Sequence, residues 1–111
     1  MADAPFYMKR GDTEPKLLAQ FRQGDGNILD LTGATVVFTM TKRGSTTPKI
    51  SLSSVDVVDA ALGTVSYTWT TGDTDTTGTY DAEFKVSFIG GRIERVPGWG
   101  YHTVIVSEPL A

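Results

Sequence analysis

Gly78-Thr-Tyr-Asp-Ala-Glu-Phe-Lys-Val-Ser-Phe88 alternates apolar and polar side chains over most of its length. Tyr80, Ala82, Phe84, Val86 and Phe88 alternate with Asp81, Glu83, Lys85 and Ser87, and a period of two sends the first set to one face of a β-strand and the second to water. A strand buried on both faces would be apolar throughout, so this one belongs to an antiparallel sheet with one solvated side.

Working outward, Thr64 to Thr70 alternates in the same way, with Val65, Tyr67 and Trp69 against Thr64, Ser66, Thr68 and Thr70. Ala34 to Lys42 sets Val36, Phe38 and Met40 against Val37, Thr39 and Thr41, and its β-branched density favours a strand over a helix. Beyond Phe88, Gly90-Gly91 predicts a two-residue hairpin connection into Arg92 to Val96, which Pro97-Gly98 stops. Trp99 to Val106 is then expected as the last strand. Toward the N-terminus, Phe6, Met8 and Arg10 open a short edge strand, and Lys16 to Arg22 extends with Leu17, Ala19 and Phe21 on one face. Gly24-Asp25-Gly26-Asn27 signals a hairpin turn, and Ile50 and Leu52 make a brief strand. Ser53 to Leu62 stays open, because Val55, Val58 and Leu62 have helical spacing while the β-branched residues and missing cap argue against a helix. Short strands about ten residues apart, with turn signals between them, predict an all-β antiparallel sandwich of about seven to eight strands.

The chain has 111 residues, 40% hydrophobic and 21% charged, which fits a single globular domain over residues 1–111 with a core of its own. A formal charge of −3 and scattered basic residues argue against nucleic acid as a partner, since that affinity rests on a positive surface. With no cysteine there is neither a disulfide framework nor thiol chemistry. Residues 1–5 lack the basic-then-apolar pattern of a signal peptide, and no window approaches a membrane span, so no membrane partner is expected.

Residue chemistry offers little catalytic equipment. Asp73-Thr-Asp75-Thr-Thr77-Gly78 resembles the first half of a calcium loop, but Phe84 stands where the bidentate Glu is required, so the segment reads as a polar turn. His102, the single histidine, has no accompanying nucleophile motif or second imidazole and reads as a surface or interface residue. No glycine cluster precedes a helix to cradle phosphate. No metal, cofactor or catalytic residue is expected, and the chain is not read as an enzyme. Trp69, Trp99, Tyr67 and Tyr101 could instead supply an aromatic platform for a sugar or a protein, with Trp99 the better exposed because Gly98 and Gly100 flank it. Gly78, Tyr80 and Ala82 carry the spacing of the tyrosine corner of immunoglobulin-like domains, in which the phenol bonds a backbone group upstream. Ala82 occupies the place of the second cysteine of antibody domains.

In order and spacing, several segments resemble the immunoglobulin-like N-terminal domain of phage upper baseplate proteins. They are Gly11-Asp12-Thr13 with Pro15; Asp30-Leu31-Thr32-Gly33-Ala34 leading to Val36 and Phe38; Gly63, Val65 and Tyr67; Asp73 with Gly78-Thr-Tyr80; and Gly90-Gly91 with Pro97. The resemblance implies a non-enzymatic virion structural protein of the tail, baseplate, connector or capsid surface. Such a protein would be made in the host cytoplasm and would contact other virion proteins and copies of itself in a symmetric assembly. The expected contact residues are Phe6, Met8, Arg10, Trp99, Tyr101 and His102. The alternative is a carbohydrate-binding or host-adhesion module that uses the aromatic loops on a host surface glycan.

Overall fold

The computed structural model of the chain describes residues 5–23 and 25–111. Met1 to Ala4, which open the N-terminal reading, and Gly24 of the expected turn lie outside the described residues. Nine strands and one 3-10 helix make up the regular structure described: β1 (Phe6–Lys9), β2 (Leu17–Gln20), β3 (Thr35–Lys42), β4 (Pro48–Ser54), β5 (Asp56–Asp59), β6 (Thr64–Tyr67), the helix Thr71–Thr74, β7 (Gly78–Ser87), β8 (Ile93–Val96) and β9 (His102–Ser107). They form two layers, a sheet in the order β1-β9-β7-β3-β4 with β8 also on β7, and a smaller sheet in the order β2-β6-β5.

β7 is the spine of the larger sheet. It pairs with β3 from Thr35↔Ser87 to Lys42↔Tyr80, and this register places Val36, Phe38 and Met40 beside Val86, Phe84 and Ala82 on the buried face. The ring centres then meet within and across the layers: Phe38 lies 5.0 Å from Phe84 beside it and 4.7 Å from Tyr67 of the other sheet, and Phe84 lies 5.0 Å from Phe21. Burying aromatic rings of this size is the main driving force for closing the sandwich, and tilted pairs add to it. The Tyr80 hydroxyl donates to the Thr76 carbonyl at 2.5 Å, tying the start of β7 to the turn before it.

At four points the structure departs from the sequence reading or decides what that reading left open. The larger sheet is mixed, because β1 runs parallel to β9 from Phe6↔Val104 to Lys9↔Ser107. Ser53 to Leu62 holds the end of β4, then β5, with Val57 paired to Val65 of β6. β-branched valines, stiff at χ1, fit this edge of the small sheet better than a helix. The third point is the β7–β8 hairpin, which closes through Phe88 N to Arg92 O, leaving Ile89 as well as the two glycines in the loop. Finally, the last strand begins at His102, three residues after Trp99.

Gly63 shows how tightly the layers meet. Its φ is +64°, and a Cβ there would stand 2.5 Å from the Leu29 carbonyl oxygen and 2.9 Å from that of Phe21. Only glycine satisfies both the dihedral and the space.

Candidate functional site

One side of β7 is occupied by two strands in succession. β9 pairs with its first half, ending at Ala82↔His102, and β8 pairs with its second half, beginning at Phe84↔Val96. Between these two registers β7 has Glu83 alone, whereas the other chain has Pro97, Gly98, Trp99, Gly100 and Tyr101. β8 and β9 are therefore one strand interrupted by a loop that must leave the sheet, an extreme form of the bulge that re-aims side chains. Its composition fits that path: Pro97 has no N–H for the ladder, and Gly100 sits at φ +70° in open space. At its tip, Trp99 is 92% exposed, and Tyr101 is 62% exposed. A free indole this exposed is unusual, because large aromatics are normally mostly buried.

Tyr101 also walls a hollow on the solvent face of the larger sheet, of about 290 Å³, with Thr39, Thr41, Arg43, Asp81 and Glu83. Arg43 donates to Asp81 Oδ1 from Nη2 at 2.8 Å and from Nε at 3.2 Å. Glu83 lies 3.7 Å from Arg95. Arg43 and Asp81 are 38 positions apart and meet through the β3–β7 register, while the β7–β8 hairpin brings Arg95 to Glu83.

The other expected contact residues divide by strand parity. On β1, Phe6 is half-buried and stacks on Trp69 with ring centres 5.9 Å apart, and Met8 is buried. The Met8 side chain is thus turned into the core, whereas Phe6 keeps part of its ring at the surface, where it lines a hollow with Leu18 and Val104. The same alternation turns Tyr7 outward, 66% exposed, and the sequence reading overlooked it although the period of two in Phe6 to Lys9 points there. Arg10 makes a two-pronged pair with Glu108, Nε to Oε1 at 2.9 Å and Nη2 to Oε2 at 3.1 Å. The guanidinium holds the Glu108 carboxyl below its ordinary pKa. His102, opposite Ala82, is half-buried and sets its ring edge-on to Phe84 at 5.9 Å.

Of the four aromatics offered as a platform, Tyr67 and Trp69 are core residues, so Trp99 and Tyr101 alone face solvent. Asp73 accepts from the Tyr67 hydroxyl and from Thr70 N, both at 2.8 Å, and Asp75 is bonded by Lys49 and Thr76. Those carboxylates serve the turn. Among the described residues no group of three or more His, Cys, Asp or Glu converges as metal ligands, and no helix is long and apolar enough to cross a membrane.

Comparison with known proteins finds a family and a similar fold. The family model of the BppU N-terminal domain, the N-terminal domain of baseplate upper proteins, matches residues 2–95. The solved N-terminal domain of phage TP901-1 ORF48 aligns with a TM-score of 0.67 and 21% identity, covering 95% of this chain and 86% of that one. At that identity the likeness establishes a shared fold. No curated protein sequence matches.

Proposed function

Starting from the chain's membership of the BppU N-terminal domain family, a phage baseplate structural family, we propose that it is a non-enzymatic module working through protein–protein contacts with other virion proteins and with copies of itself. The observation that carries this reading is the Trp99 loop: an indole held clear of the sheet by five residues facing Glu83, in the manner of an interface anchor. Tyr7 and the exposed edge of β1 form a second contact surface, with Arg10 beside it. Repeated over many copies in a symmetric ring or spike, weak single contacts of this kind add through multivalency. The connectivity supports an immunoglobulin-like reading of the sandwich, since β9-β7-β3-β4 facing β2-β6-β5 follows the layer order of variable-type domains. In this reading the protein is made in the host cytoplasm and carried in the virion.

The test is incorporation. Trp99→Ala should leave the melting temperature within about 2 °C, as expected for an exposed side chain, while lowering the amount of the protein in purified particles several-fold. Full incorporation of a Trp99→Ala, Tyr7→Ala double variant would refute this placement of the contacts.

A further inference from the structure

The hollow beside Tyr101 has a chemistry that protein docking through Trp99 does not use. Its carboxylates each face a guanidinium, Asp81 bonded by Arg43 and Glu83 3.7 Å from Arg95, so the local charges balance. Its wall is one exposed aromatic ring, and its floor carries the hydroxyls of Thr39 and Thr41 and the Arg43–Asp81 pair. Arg43 engages only Oδ1 of Asp81, so among the described residues Oδ2 keeps its acceptor capacity. We propose that this hollow is a binding site for one ring of a neutral saccharide. The apolar C–H face of a pyranose packs on the Tyr101 ring, as apolar groups pack on aromatic faces generally. Adjacent hydroxyls of the sugar then meet a carboxylate and a guanidinium, which accept and donate in fixed planar geometry. Charge balance selects against anionic sugars, and the volume of about 290 Å³ lies at the low end for small-molecule clefts, enough for a single ring.

The site goes beyond the assembly reading and does not depend on it, because Trp99 is not among the lining residues. An open site with one aromatic wall should bind weakly, with a dissociation constant of about 1–10 mM. The experiment is amide-shift mapping of the isotope-labelled protein with methyl β-glucopyranoside, methyl β-galactopyranoside and N-acetylglucosamine, each to about 50 mM. At least one should give saturable shifts at Thr41, Arg43, Asp81 and Tyr101. Tyr101→Ala should weaken that binding about tenfold or more, Asp81→Asn should weaken it too, and Trp99→Ala should leave it unchanged. No saturable shift with any of the three sugars would overturn the proposal. So would binding that Trp99→Ala abolishes and Tyr101→Ala spares, which would place the sugar on the tip of the loop.

Discussion

The Tyr80 hydroxyl donates its one hydrogen bond to the Thr76 carbonyl, and the residue is 1% exposed, so its removal leaves a backbone acceptor without water to replace the lost donor. Tyr80→Phe should therefore cost about 1–2 kcal/mol, read as a lower urea midpoint with an unchanged slope. An unchanged midpoint would mean that the bond contributes nothing net. At this scale the sequence was informative wherever strand parity alone decides a side chain's direction. Tyr80, Ala82, Phe84 and Val86 of β7 face inward as their alternation requires. The same parity turns Met8 inward and Tyr7 outward on β1. The Arg43–Asp81 pair was out of reach, because its members are 38 positions apart and only the β3–β7 register joins them.

At the scale of elements, the informative feature is the division of one strand into β8 and β9. Two of its marks stand in the sequence, Pro97-Gly98 as a stop and Gly100 as a flexible flank, and they point to a break. That the two halves resume on the same edge of β7 is a matter of pairing partners, which local composition does not encode. Replacing Pro97 through Tyr101 by a single threonine would give Glu83 one partner and let β8 and β9 run on as one strand. A shorter connection lowers the entropy lost on closing it, by fractions of a kcal/mol. The shortened protein should fold with an equal or higher melting temperature and should lose both particle incorporation and sugar-induced shifts. A fall of more than about 5 °C would show that the loop packs against the sheet and supports it.

Over the whole molecule, ionisation sets the pH window of stability. Burial pushes the Tyr67 and Tyr80 phenols above their ordinary value of 10.0, and for Tyr67 the bond to Asp73 adds to the effect. A phenol whose folded pKa is raised contributes stability that is fully present below pH 10, and that contribution is lost as pH rises from there toward the folded value. The urea midpoint should accordingly fall between pH 9 and pH 11, and Tyr67→Phe should shrink that fall; an equal fall in both proteins would exclude the Tyr67 phenol as its source. On the acid side, Asp75 and Glu108 have carboxyls lowered by their hydrogen bonds to Lys49 and Arg10 respectively, so their small, salt-screened contributions are present above their ordinary values and fade as pH falls through the folded ones. The parallel pairing of β1 with β9 has a consequence in time. The backbone partners of Phe6 to Lys9 are Val104 to Ser107, so during synthesis the first strand must wait, unpaired, until nearly the whole described chain has left the ribosome. Until then Phe6 and Met8 are apolar side chains without a core, and a chaperone that holds nascent chains would find its binding segment there.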